Sequence, residues 1–566
     1  MTQRHMTQRR LVNRIFLVLA GLYIALGAAC SKSASTPEQP SGPLRLAGIT
    51  FDNTAPAQPY YNISTSPQVK FSFTAPLDRT TVTTSFYLKD NTGTAITCNT
   101  TYSNNDSVIT IQPSAALKAI TQYDVGFTFA LKSKSGEALQ SKADAPFWTA
   151  IDNTDKFPAI SDSALLTLIQ QQTFKYFWDL ANTTSGLARE RASGDVVTTG
   201  GSGFGIMAIL TGTYRGFITR AQALDRLTTM VGFLSDSTKV QRYHGAFSHW
   251  MNGSTGATVP FGTHDDGGDI VETAYLLQGL LCARQYFNSA TDAGEISLRS
   301  KINDLYDAVD WNWYRQGGKN VLYWNWSPNF QFVINVPIQG WNEALITYVL
   351  AASSSTNAIP RATYDSGWAR NGGIANGKTF YGIRLPLGPD NGGSLFFAHY
   401  SFLGIDPHGL SDMYADYWTQ DTAHARINYL YCVDNPGKYN GYASSCWGLT
   451  ASDEQNGYSA HAPGNDDGVI TPTAAVASLP YTPTESMNAI RFFYYKLGDK
   501  LWGDYGFKDA FNLTNTWFDN DFLAIDQGPE IVMIENYRSG LLWNLFMSCP
   551  EIQTGMKKLG FQSPHF

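Results

Sequence analysis

The sequence predicts two domains of opposite class, a small β-sandwich followed by a mainly α domain closed into an (α/α)6 toroid, and three observations predict them. A chain of 566 residues is too long for one ordinary hydrophobic core. Short runs that alternate apolar and polar residues, such as Val69-Lys70-Phe71-Ser72-Phe73 and Val108-Ile109-Thr110-Ile111, fall between residues 43 and 151. From Asp152 onward the apolar period becomes that of helices, separated by long aromatic and Gly-rich loops.

The N-terminus is a targeting segment rather than part of the fold. Arg9, Arg10 and Arg14 precede an apolar run from Ile15 to Ala29 that is too short for a comfortable membrane span. Gly27-Ala28-Ala29-Cys30 resembles a bacterial lipoprotein cleavage box. Residues 1–30 are therefore expected to be a signal peptide with Cys30 lipidated, placing the chain in the cell envelope, periplasmic or at the cell surface, with the lipid as its only membrane contact. Residues 31–42, rich in Ser and Pro, read as a flexible tether.

Residues 43–151 are predicted to form the sandwich, because Asn-Asp, Asn-Thr-Gly and Ser-Gly turns punctuate the alternating runs. The segment Ser66 to Val82 resembles the bacterial Ig-like domains found ahead of secreted enzymes, a resemblance that specifies no ligand; because fold alone does not give function, a spacer is expected in preference to a glycan-binding module. Residues 158–566 are predicted to be the toroid. Its helical patterns include Ser161 to Leu180, Phe204 to Tyr214, Arg220 to Ser235, Ile270 to Tyr286, Leu298 to Trp313 and Trp341 to Ala352. They continue with Gly393 to Leu403, Ser411 to Tyr431, Pro483 to Lys496, Asp504 to Trp517 and Ile534 to Phe546. That number approaches the twelve helices of six closed hairpins.

Composition excludes one class of partner. The net charge is -7 and the mature region has no basic block, which argues against nucleic acid. Aromatics make up 13% of residues, with 14 Trp and 30 Tyr, and such rings suit sugar faces as well as cores. Among Cys98, Cys282, Cys432, Cys446 and Cys549, the one pair with plausible spacing for a disulfide is Cys432–Cys446. No spacing suggests zinc, and His244 and His249 lack a metalloprotease pattern. Gly201-x-Gly203-x-Gly205 has the wrong spacing for a dinucleotide, and neither a nucleophile elbow nor a P-loop is present. The expected protein is a monomer without metal or organic cofactor.

The densest polar cluster runs from His264 to Glu272, just ahead of a strongly helical stretch, and places Asp265, Asp266, Asp269 and Glu272 within eight residues. If the segment is already turning, Asp265 and Asp269 share a face and raise each other's proton affinity. The alternatives are a helix cap at Asp266 or Asp269, or a calcium loop. Glu343, in Gln339-Gly340-Trp341-Asn342-Glu343-Ala344, opens an apolar helix and suits the helix dipole there without any chemistry. A third acidic stretch begins at Asp526, and in it Glu535 and Arg538 are spaced to pair with each other.

The run Asp265 to Gln278, the Gly340-Trp341-Asn342-Glu343 step and the Asp526 to Trp543 segment resemble the bacterial glucoamylase-like group that contains glycoside hydrolase family 144, the β-1,2-glucanases. The resemblance covers about Ser161 to Gly560. It implies an (α/α)6 enzyme that hydrolyses β-1,2-glucan with inversion, and it carries catalytic roles onto Asp265, Asp269 and Glu343, with Asp526 as a weaker transfer. Glu343 is the expected acid, and one of Asp265, Asp269 and Asp526 the expected base. Trp324 and Trp326 read as sugar platforms, with Trp250, His249, Arg189 and Arg191 as further binding candidates. Trp341 and Tyr537 are assigned to substrate binding with them. Endo action is the expectation. Release of sophorose from chain ends, and a surface glycan-binding lipoprotein without chemistry, are the alternatives.

Overall fold

The computed structural model describes residues 42–566, so the expected signal peptide with Cys30 and nearly all of the expected tether lie outside the described residues. Strands β1 (Leu46–Phe51), β2 (Tyr60–Ile63), β3 (Val69–Phe73), β4 (Phe86–Asp90), β5 (Cys98–Ser103), β6 (Val108–Pro113), β7 (Gln122–Phe127) and β8 (Ala143–Thr149) form the first domain. They make two four-stranded sheets, ordered β1-β3-β6-β5 and β2-β8-β7-β4, antiparallel except where β2 meets β8. The alternation in the sequence sets which side chains point inward: Val69, Phe71, Ile109, Ile111, Val125 and Phe147 fill the space between the sheets and are fully buried. A short helix, α1 (Arg79–Ser85), links β3 to β4 and is capped by Asp78.

The second domain is a ring of helix pairs. In chain order these are α2 (Asp162–Trp178) with α3 (Thr199–Tyr214), α4 (Arg220–Ser235) with α5 (Ile270–Tyr286), and α6 (Ala293–Asp307) with α7 (Leu345–Ser353). The fourth pair is irregular, with α8 (Arg361–Thr363) followed by short 3-10 turns at Leu395–Ala398 and Ser401–Leu403. Then come α9 (Tyr417–Asp434) with α10 (Pro472–Ala477), and α11 (Pro483–Tyr495), followed by the single turn α12 (Gly498–Leu501), with α13 (Ala524–Ser539). Helices α14 (Leu541–Met547) and α15 (Pro550–Leu559) finish the chain. Inner and outer helices differ in sequence as they must: every residue of α5 from Ile270 to Ala283 is buried, whereas α6 buries only a stripe that includes Leu298, Ile302 and Leu305.

Two glycines set how closely the inner ring closes. A Cβ on Gly203 would lie 2.1 Å from the Tyr275 carbonyl oxygen, and one on Gly279 would lie 2.2 Å from the Gly203 carbonyl oxygen. Within the Gly-rich run that opens α3, Gly203 thus serves backbone contact with α5, while Gly201 makes room for Ala524 and Gly205 for Phe177.

Several boundaries differ from expectation. The stretch from Asp504 to Trp517 is not helical; it forms parts of two small hairpins, Trp502–Gly503 with Gly506–Phe507 and Phe511–Asn512 with Trp517–Phe518, because Gly506 and Thr516 take positive φ. Helix α6 starts earlier than predicted, at an Asp292 side chain that accepts from the Glu295 N–H at 2.9 Å. The last predicted helix begins at Ala524 rather than Ile534 and is divided from α14 by left-handed Gly540. All five described cysteines are free thiols, so Cys432 and Cys446 are not joined. Glu535 pairs with Arg215, at 2.7 and 2.8 Å, rather than with Arg538. Among the described residues no helix is long and apolar enough to cross a membrane.

Candidate active site

The acids of interest stand at or just before the starts of inner helices α5, α7 and α13. The starts of α3 and α5 touch where the Glu272 carboxylate accepts the Gly200 N–H at 2.7 Å. Those of α10 and α13 touch where the Thr473 hydroxyl donates to the Asp526 carbonyl at 2.8 Å. Such ends carry unpaired N–H groups and the positive end of the helix dipole, so carboxylates collect there without opposing lysines.

Asp269 closes α5. The segment before it is extended rather than turning: Gly268–Asp269 pairs with Asn325–Trp326 as a two-residue ladder, so Asp265 does not share a helical face with Asp269. One Asp269 oxygen accepts the Val271 and Glu272 N–H groups at 2.9 and 3.0 Å. The other meets His249 Nδ1 at 3.0 Å and the Trp324 indole N–H at 3.2 Å. Both oxygens are thus committed, and Asp269 fixes the ring of His249. Burial works hardest on that imidazole and against its charge, yet Glu272, Asp269 and Asp265 together lift it to about 9. The Glu272 carboxyl is itself raised by burial. Asp265 is half-buried in the loop above, its proton affinity raised first by burial and then by the Asp269 charge, with Asn325 and His249 pulling the other way. Asp266 serves the loop: it accepts from the Ser327 hydroxyl at 2.5 Å and the Asn329 amide at 2.6 Å.

Glu343 lies just ahead of α7. Its carbonyl is pinned by the Ser401 hydroxyl at 2.5 Å, which in turn receives the Ile346 N–H at 3.0 Å. Burial pushes its carboxyl up to about 7; contact with its own backbone N–H opposes this, and the charges of Asp269 and Glu272 add to the rise. A carboxylic acid that keeps its proton near neutrality is what proton donation to a leaving group requires.

Asp526 belongs to a second acidic group across an aromatic floor. Phe204, Tyr275 and Tyr400 pack with ring centroids 5.2 to 5.7 Å apart; both tyrosines feel the Glu343 charge, and Tyr400 also feels Asp526. Asp526 is 2% exposed and hydrogen-bonds Asp509, and burial drives both carboxyls well above the usual range. Arg191 is anchored beside them, on Asp453 at 2.9 and 3.2 Å and on Glu190 at 3.0 Å.

The structure thus brings together Asp265, Asp269, Glu343, His249 and Trp324, and sets Asp526 with Arg191 on the far side of the floor. Trp250 is half-buried, its indole packed edge-on against Phe261 at 4.8 Å. Trp326 is half-buried and meets Trp313 and His244 edge-on at 5.8 and 4.7 Å. Two assignments are corrected. Trp341 is 4% exposed, with its indole N–H on His424, and is a core residue. Tyr537 sits in the last turn of α13, roughly 16 Å along the helix from Asp526, at the opposite end of the ring. The sequence reading passed over Phe261, which stacks on His249 at 4.0 Å, and the acids Glu190, Asp453 and Asp509. An exposed Phe three residues before His264 was the available signal for the first; the others lie far apart in sequence and gave none.

Comparison with known proteins gives the family and its relatives. Residues 335–550 match the family described as "Putative glucoamylase", and residues 47–149 match the bacterial Ig-like domain. An endo-β-1,2-glucanase from Chitinophaga pinensis, solved with sophorotriose and glucose, is 51% identical, covering 72% of this chain and 100% of its own, with a TM-score of 0.70. A β-1,2-glucanase from Parabacteroides distasonis is 37% identical over 93% of this chain and 74% of its own, with a TM-score of 0.69. A curated relative from the same species, an exo β-1,2-glucooligosaccharide sophorohydrolase acting at the non-reducing end, is 47% identical over 423 residues, or 71% of this chain; the chain spans 58% of that relative's length. With its ring of helices, its acids at the inner helix starts and these relatives, the chain belongs to the glucoamylase-like family of the glycoside hydrolase family 144 type, preceded by a bacterial Ig-like domain.

Proposed function

We propose that the chain hydrolyses β-1,2-glucan with inversion, and the observation that carries the reading is the Glu343 carboxyl, held protonated to about pH 7 beside the Asp269–His249 pair. Glu343 gives its proton to the departing glycosidic oxygen. Asp265 takes a proton from the water that attacks the opposite face of the sugar, leaving the new anomeric hydroxyl inverted. Asp265 suits that role better than its rivals: Asp269 spends both oxygens on the helix cap, His249 and Trp324, while Asp526 is buried and shares hydrogen bonding with Asp509. His249, Trp250, Phe261 and Trp324 line the approach, and their flat faces suit glucose rings. The substrate follows from the Chitinophaga and Parabacteroides relatives.

Endo action is the preferred mode, in line with the Chitinophaga relative; exo release of sophorose is the second reading, favoured by the curated Parabacteroides relative. The Arg-led apolar run ending at Cys30 supports a lipid-anchored protein of the cell envelope. The test is product analysis from linear β-1,2-glucan, with starch and β-1,3-glucan as controls and Glu343→Gln alongside wild type. Mixed oligosaccharides from β-1,2-glucan alone, and none from the variant, support the reading with endo action; sophorose as sole product makes it exo. Cleavage of starch, or binding without products, overturns it.

A further inference from the structure

We propose that Asp453, Asp509 and Asp519 bind a hard divalent cation of the calcium class beside Arg191. One carboxylate oxygen from each of the three lies within 4.8 Å of the other two. The centre of such a triangle is at most about 2.8 Å from each corner, and calcium sits about 2.3–2.6 Å from its oxygens. The ligand set is all oxygen, with neither His nor Cys, which selects against zinc.

The hydrogen bonding points to a missing positive partner. Asp509 is 2% exposed; one of its oxygens accepts the Asp453 N–H at 2.7 Å, and its Oδ1 is buried without a donor. Asp519 uses Oδ1 for the Asn520 and Asp521 N–H groups, at 2.6 and 3.2 Å, and leaves a buried Oδ2 unpaired. Asp526, whose carboxyl interacts with that of Asp509 and which is also 2% exposed, has a buried Oδ2 without a donor as well. Around them Glu190, Asp453, Asp509, Asp519, Asp521 and Asp526 form one acidic group, and among the described residues Arg191 is the one cation that ion-pairs with it. A surplus of buried carboxylates is met either by protons or by a metal, and three oxygens at this spacing suit a metal.

A cation here would clip two segments together. Asp453 lies on the hairpin Ala451–Glu454 with Gly457–Ala460, which carries Tyr458 toward Asp526; Asp509 and Asp519 flank the hairpin that precedes α13. The inference concerns how this wall of the site is held and does not depend on which glycan is cut.

The test uses the full chain, stripped with EDTA, exchanged into chelator-free buffer and titrated with calcium chloride in a calorimeter, with thermal midpoints read alongside. Binding of one calcium per chain with a dissociation constant of about 1 mM or tighter is expected, with a midpoint raised by about 2 °C or more at saturation. Asp519→Asn should weaken binding at least tenfold; Asp509→Asn is the second variant should the first fail to fold. No heat and no midpoint shift in wild type at ten-millimolar calcium would overturn the proposal, as would binding undiminished in either folded variant.

Discussion

Replacing Glu343 with Gln should abolish catalysis and at the same time stabilise the fold, and both effects trace to one proton. The carboxyl is raised from its ordinary 4.5 to about 7. At about 1.36 kcal/mol per unit, ionising it costs the folded protein about 3 kcal/mol more than it costs the unfolded chain. Below pH 4.5 the group is protonated in both states and its contribution to stability is complete; as pH rises through about 7 that contribution is lost. Glutamine has no proton to lose. The variant's advantage over wild type in urea unfolding should therefore be small near pH 4.5, grow between there and pH 7, and level off at about 3 kcal/mol. On β-1,2-glucan the variant should lose about 10²–10⁴ in kcat, while wild-type activity falls about tenfold per unit above pH 7. A stability difference that ignores pH, or an active variant with its alkaline limb unmoved, would refute the assignment of that proton to Glu343.

Three further outcomes follow from distances already given. His249, lifted to about 9, contributes stability that is present below its unfolded value of 6.5 and disappears as pH rises through about 9; His249→Gln should cost up to about 3 kcal/mol at pH 6 and little at pH 10, read from unfolding midpoints. Gly203→Ala puts a Cβ 2.1 Å from the Tyr275 carbonyl oxygen and forces α3 from α5, so a loss of about 3 kcal/mol or more is expected in chemical unfolding. Phe261→Ala removes an exposed ring stacked on His249 without opening the core; KM should rise several-fold with kcat nearly kept, and a collapse of kcat would argue that the ring positions His249 instead.

Local signals in the sequence carried the parts of this fold that depend on local physics. The alternation at Val69–Phe73 set the inward face of β3, and α4 and α5 begin and end where their apolar periods place them. Where tertiary contacts decide, the reading failed. The predicted helix from Ile534 in fact begins at Ala524 and runs through Gly528-Pro529, where a Cβ on Gly528 would lie 2.5 Å from Phe204, so the missing side chain there is a packing requirement. The site divided in the same way. Asp265, Asp269 and Glu343 sit in compact motifs and were readable as candidates; that Asp269 is spent on a cap and on His249 is visible only once Trp324, 55 residues on, is folded back onto it. Trp341 misled because a Trp beside a catalytic candidate has the same composition whether it faces a sugar or His424.

The contact between the two domains bears on what the first one is for. The Trp148 indole N–H donates to the Thr514 carbonyl at 2.7 Å, and Asn91 reaches the Thr516 hydroxyl at 3.4 Å. Ile120 of the sandwich packs into the apolar core of the helical domain. Thr514 and Thr516 form the turn between Asn512 and Trp517, a few residues from Asp509 on one side and Asp519 on the other. The sandwich touches the turn between the two aspartates, and a chain shortened to begin at Asp152 would lose the Trp148 and Asn91 contacts that meet it there, together with the packing of Ile120.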